Sequence, residues 1–211
     1  IDWQFGSGAA EGRDAAPSRV SSTMPEAFEA GPRASKIRQH LEAGELIEAS
    51  EMLSDCLKLA RDDADVATLQ AQLLRLCGRY QEASEWVDRA LAAVPAHSGA
   101  HVEAARLAAL TGATERALDC FEQAHRAMPD ATDCFAEWTA LAHAVRRTDI
   151  AATVAARWCE LAPDSAHAWF SLGLAHHEAG ALDAALAAYE HAVSLDADVP
   201  MLRNNLSALH Y

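Results

Sequence analysis

Self-similarity at a period of 34 residues constrains this chain more than any other feature of its sequence. At that shift Gly44, Gly78, Gly112 and Gly180 fall into one column without a gap, with Arg146 at the fourth place in the series. Ala49, Ala83, Ala117, Ala151 and Ala185 form an unbroken alanine column, and Pro95, Pro129 and Pro163 form another. A further column runs Cys56, Ala90, Ala124, Trp158, Ala192. A unit this short cannot bury an apolar face alone, so successive units must stack on one another.

The columns make physical sense as a pair of antiparallel helices. A helix ends readily at a glycine in the left-handed conformation, and a proline soon after a second helix prevents its continuation. The alanine column marks where the second helix needs a small side chain to approach the first closely. Composition agrees: alanine is abundant and aromatic residues are only 6% of the chain, which favours helix over sheet.

Trp169, Leu172, Gly173, Gly180, Ala185, Tyr189 and Ala192 carry signature spacings that resemble the tetratricopeptide repeat, whose period is also 34 residues. The resemblance covers units 30–63, 64–97, 98–131, 132–165 and 166–199. It implies an all-α, right-handed α-solenoid of five helix hairpins, closed by a C-terminal capping helix over 200–211 in which Leu202, Leu206 and Leu209 line one side. A sixth repeat that begins there is the alternative reading of the same stretch.

The fourth unit departs most from the pattern. Arg146 replaces glycine, Thr139 stands where the fifth unit has Gly173, and bulky Trp158 occupies the small-residue column. Ala155 occupies the place of Phe121 and Tyr189, so large and small partners are expected to have exchanged volumes, with this unit the least regular. The first unit is degenerate too, with Arg33 and Lys36 at the sites of Trp169 and Leu172.

In such an array the first helices line the inner surface, and residues three and four apart share a helix face. That face carries Arg38 in the first unit, Leu69, Gln72 and Arg75 in the second, and Val102, Glu103 and Arg106 in the third. Glu137 and His143 follow in the fourth, and Phe170, Leu174 and His177 in the fifth. A groove of this composition suits a peptide with apolar anchors and an acidic group, because arginine grips a carboxylate through two hydrogen bonds. The same arginines can instead stay solvated or pair with Glu103 and Glu137.

Within the resemblance, the clamp by which some members hold the C-terminal carboxylate of heat-shock chaperones is absent, its places being filled by residues such as Ala34, Leu69, Gly99 and Glu103. The asparagine ladder of glycosyltransferase members is absent as well: the series reads Ser35, Leu69, Glu103, Glu137, Ser171 and only then Asn205.

Residues 1–29 lie outside the repeat and have linker composition, with Met24 a second place at which a native chain could start. Ile1, Trp3 and Phe5 alternate beside Asp2, as in a short linear motif whose side chains share one side of an extended strand. Asp2, Trp3 and Phe5 are therefore a candidate tethered ligand for the groove of the same or a neighbouring molecule, which would make the N-terminal segment a route to oligomers. An appended or disordered tail is the plainer reading.

A formal charge of −14 argues against nucleic acid and anionic membranes as partners. Five cysteines at irregular spacing, without a CxxC pair, read as a reduced, cytoplasmic protein. His143 and His177 take equivalent groove positions with Glu178 nearby, but no spacing fixes three ligands about one ion, so no metal is expected. No cofactor motif, phosphate loop, nucleophile elbow or paired-carboxylate spacing is found, so no catalytic residue is assigned and the chain is read as a non-enzyme. Trp86, Trp138, Trp158 and Trp169 are read as packing residues. The expected function is an adaptor or scaffold that binds a peptide segment of another protein; the alternative is the substrate-recruiting N-terminal domain of a larger sulfo-, methyl- or glycosyltransferase.

Overall fold

A computed structural model describes residues 30–196 together with Leu202 and Asn205. Ten helices run in pairs: α1 Ala30–Ala43 and α2 Leu46–Leu59, α3 Ala64–Leu76 and α4 Tyr80–Ala93, α5 Ser98–Leu110 and α6 Thr114–Ala127, α7 Phe135–Ala144 and α8 Thr148–Leu161, and α9 Ala166–Glu178 and α10 Leu182–Leu195. The described residues contain no strand. The segments expected to hold the tethered motif and most of the capping helix lie outside the described residues.

The turn inside each hairpin is the same. Gly44, Gly78, Gly112 and Gly180 take φ values of 76, 76, 79 and 76°, and Arg146 takes the same left-handed backbone at φ 57°. Three residues past α3, α5 and α7 an amide reaches back to a carbonyl in the last turn of the helix: Arg79 N to Leu74 O at 2.8 Å, Ala113 N to Ala108 O at 2.8 Å, Arg147 N to Ala142 O at 2.8 Å. This back-bonding satisfies carbonyls that the helix end leaves orphaned. The fourth hairpin thus keeps the turn despite its side chain, at a steric cost that glycine avoids.

Helix starts explain the irregularity of the fourth hairpin better than its turn does. Asp63, His97 and Ser165 cap α3, α5 and α9, their side chains accepting from Val66 N, Ala100 N and Ala168 N at 3.0, 3.0 and 3.3 Å. The equivalent residue before the fourth hairpin is Ala131, which has no acceptor. There α7 begins only at Phe135, and its first residue donates to the Thr132 carbonyl in a preceding turn.

The five alanines of the recurring column are all 0% exposed, as their role at helix contacts requires. Gly173 shows the same economy, since a Cβ there would lie 2.6 Å from two ring carbons of Tyr189. In the fourth hairpin Thr139 and Ala155 stand in the Gly173 and Tyr189 places, both closed to solvent. Trp158 packs on Phe135 with ring centroids 6.3 Å apart. Leu202 is fully buried in the cluster around Tyr189, and the Asn205 amide donates to the Tyr189 hydroxyl at 3.3 Å.

Candidate peptide groove

The first helices α1, α3 and α5 pack side by side, and α7 packs on α9, whereas α5 and α7 have no comparable backbone packing. A chain of ion pairs spans the gap. Arg75 Nε on α3 donates to Glu103 Oε2 at 2.7 Å, Arg106 donates from one terminal nitrogen to Glu103 Oε1 at 2.7 Å, and the other reaches Glu137 Oε1 on α7 at 2.6 Å. A second bond from Arg106 Nε to Glu137 Oε2, at 2.9 Å, makes the α5–α7 link bidentate.

Glu103 is only 2% exposed, so its charge depends on these guanidiniums: a buried carboxylate without a partner is far costlier than the pair. For Arg106, burial opposes the charged form, but hydrogen bonds to Glu137 and the charge of Glu103 outweigh it and hold its pKa above the ordinary arginine value. Of the three arginines read as groove residues, Arg38 is the one with no carboxylate partner among the described residues.

Two open cavities flank this chain. One, of about 750 Å³, takes in Arg38, Asp65, Gln72, Val102 and Arg106; the other, of about 500 Å³, takes in Arg75, Leu76, Arg106, Leu110 and Leu141. They share Glu42, Gln72 and Arg106, so together they form one trough along the first helices. Leu76 and Leu110, one repeat apart, stand 42% and 54% exposed in it. Both stand on the inner face of their first helices, where the three-and-four spacing of the sequence puts them.

Other groove residues sit differently. Leu69 is 2% exposed and packs with Ile37, Leu53 and Val66, so it forms part of the floor of the larger cavity. His143 is tied across to α9, its Nδ1 2.8 Å from Glu178 Oε2, and His177 takes no part in that contact. Phe170 and Leu174 are half-buried, and Phe170 lies against Tyr189 with ring centroids 5.8 Å apart. The structure therefore gathers Arg38, Leu69, Gln72, Arg75, Val102, Glu103, Arg106 and Glu137 about one trough and leaves Phe170, Leu174 and His177 apart from it.

No group of three or more histidine, cysteine or acidic residues among those described could hold a metal ion. The five cysteines are free, with Cys56, Cys134 and Cys159 buried; burial pushes the Cys134 and Cys159 thiols up to about 11. No helix among the described residues is long and apolar enough to cross a membrane. Trp138 and Trp158 are buried, while Trp86 lies half-buried under the Arg89 guanidinium and Trp169 donates to the Pro163 carbonyl at 2.8 Å.

The profile of the tetratricopeptide repeat matches residues 36–98 and 141–200, more than half of the chain. The chain belongs to the tetratricopeptide repeat family. Among solved structures it is similar to YrrB, described as a tetratricopeptide repeat protein with an unusual peptide-binding site, at 22% identity and a TM-score of 0.66 over 75% of this chain and 81% of that one. MamA is similar at 15% identity and a TM-score of 0.63, covering 76% of this chain and 94% of that chain. Cut9 in its complex with Hcn1 aligns at 12% identity and a TM-score of 0.69, covering 85% of this chain and 36% of that chain. At these identities the likeness is one of fold, a tetratricopeptide solenoid. No curated protein matches the chain. The stretch that the family profile passes over, 99–140, includes the third hairpin and the late start of α7.

Proposed function

We propose that the trough along the first helices binds a segment of a partner polypeptide, as an adaptor or scaffold of the tetratricopeptide kind and without chemistry of its own. The observation that carries this reading is an open trough whose central charges already satisfy one another while Leu76 and Leu110 stay exposed beside them. Such a surface offers apolar anchoring with a polar border, the arrangement that peptide grooves use. An acidic group on the partner would meet Arg38, because Arg75 and Arg106 are engaged by Glu103 and Glu137. YrrB, with a peptide-binding site on a similar fold, supports the same reading.

The chain's own Ile1–Phe5, with Trp3 and Phe5 as anchors and Asp2 as the acid, is a tethered occupant of compatible chemistry. Affinity capture from the native cell extract tests the proposal. Partners recovered by the wild type should be lost with Leu76→Glu plus Leu110→Glu and kept with Ile47→Glu, whose side chain lies outside the trough and is 73% exposed. Identical capture by all three proteins would remove the trough as the binding surface. If the N-terminal segment competes for it, deleting residues 1–23 should increase capture.

A further inference from the structure

A separate cavity of about 600 Å³ opens between the second helices of the third and fourth hairpins, α6 and α8, with α7 beneath. Its apolar lining is Leu118, Val154 and Trp138, all buried, with half-buried Ile150 and His125. The site falls where the fourth hairpin departs from its neighbours: Trp138 stands in the place of Gln70 and Ala104.

The rim is acidic. Glu115, Asp119, Glu122 and Asp149 face two arginines, both already paired: Arg126 with Glu122 at 2.6 Å, and Arg147 with Asp149 at 3.1 Å and Glu115 at 3.2 Å. Asp119 makes no hydrogen bond or salt bridge among the described residues; the Arg147 charge acts on it only from beyond contact, so its carboxylate stands unpaired at the mouth. His125 adds no positive charge near neutral pH, because burial, with the Arg157 charge as the lesser cause, keeps its pKa below the ordinary histidine value.

Two buried nitrogens at the base lack hydrogen-bond partners, Trp138 Nε1 and His125 Nδ1. A buried indole N–H without an acceptor is costly, and native structures leave few such groups unexplained. The site therefore combines an apolar wall, an unmet donor and an unpaired carboxylate. A free polyamine would answer the carboxylate and the wall but brings no acceptor.

We propose that this cavity is a second binding site, which takes a lysine or arginine side chain of a partner polypeptide: its aliphatic stem lies against Leu118, Ile150 and Val154, its cation meets Asp119, and a peptide carbonyl accepts from Trp138. Basic side chains commonly bury their stems in this way while the charged head stays at the surface. The site lies on the second helices, so it can be filled together with the trough on the first helices.

Nitrogen-edited NMR of the intact chain tests this directly, with the Trp138 indole resonance assigned from Trp138→Phe. Three probes are titrated: acetyl-Leu-Lys-Leu-amide, acetyl-Leu-Glu-Leu-amide and putrescine. The lysine peptide should shift the Trp138 indole signal saturably, and Asp119→Asn, a change at an exposed position, should weaken that binding about two- to fivefold. The glutamate peptide should leave the signal in place, and Leu76→Glu plus Leu110→Glu should not alter the lysine response. Equal responses to both peptides would overturn the charge assignment, an equal response to putrescine would reduce the site to a cation site, and no response to the lysine peptide would end the proposal.

Discussion

Gly173 and Tyr189 offer the sharpest test of how these repeats trade volume between helices. A Cβ added at Gly173 would sit 2.6 Å from Tyr189 Cδ1 and Cε1, about 1 Å inside ordinary carbon contact. The ring cannot retreat easily, because Tyr189 is 0% exposed and packed against Ala185, Ala192 and Leu202. Gly173→Ala should therefore incur an overpacking cost of about 1–3 kcal/mol, offset by about 1 kcal/mol from alanine's better helix propensity. Tyr189→Val alone should cost about 2–4 kcal/mol through lost burial and the cavity left behind. Together the two changes recreate the Ala71 and Val87 pair of the second hairpin, both buried in one cluster. In the double variant the added methyl meets no ring, so it should be more stable than the sum of the single effects by about 1–3 kcal/mol. Hydrogen exchange of the α9 and α10 amides is the suitable assay, since single hairpins of a solenoid open locally as well as with the whole. Single effects that add to within about 0.5 kcal/mol would show that the two positions do not share a volume, and would refute the reasoning.

Three further outcomes concern the third and fourth hairpins. Ala131→Asp supplies the missing helix cap and should stabilise the protein by about 1 kcal/mol while protecting the amides of 134 and 135, read by thermal unfolding and exchange. Arg146→Gly relieves a left-handed backbone worth about 1–2 kcal/mol but loosens the unfolded chain by about 0.5–1 kcal/mol, so a rise in Tm is expected; a fall would show that the Arg146 side chain contributes more than its backbone costs. His125 has a folded pKa below its unfolded value, so the unfolded chain takes up its proton first as pH falls: stability should be full above about pH 6.5 and decline below it. His125→Phe should flatten that acid limb in denaturant titrations at several pH values.

The period, the glycine column and the alanine column were legible because each reports a backbone need. A left-handed turn admits glycine most easily, and helices in close approach admit only small side chains, so these constraints recur in every unit whatever surrounds them. The irregularity of the fourth unit was legible from Arg146, Thr139 and Trp158, but its main cause lay in another column. Asp63, His97 and Ser165 recur at one place, and Ala131 breaks the series. The depth of Leu69, which lines the larger cavity while only 2% exposed, was illegible for a different reason: the periodicity of a helix gives its faces, yet how deep a side chain sinks depends on how far the neighbouring helices turn about their axes.

The pairing of Arg75, Glu103, Arg106 and Glu137 was open in the sequence, where solvation, mutual pairing and recognition of a partner's carboxylate were equal readings of the same residues. Their partners lie 28 and 31 positions away, so the choice among these readings depended on the distance and angle between stacked hairpins. The sequence alone determined that the chain is a stack of helix hairpins, since a 34-residue unit with one apolar side has no other way to bury it. Only the tertiary structure decided which charges cancel, which leucines stay exposed in the trough, and where a cavity opens between α6 and α8, because these depend on spacings between units that no single unit encodes.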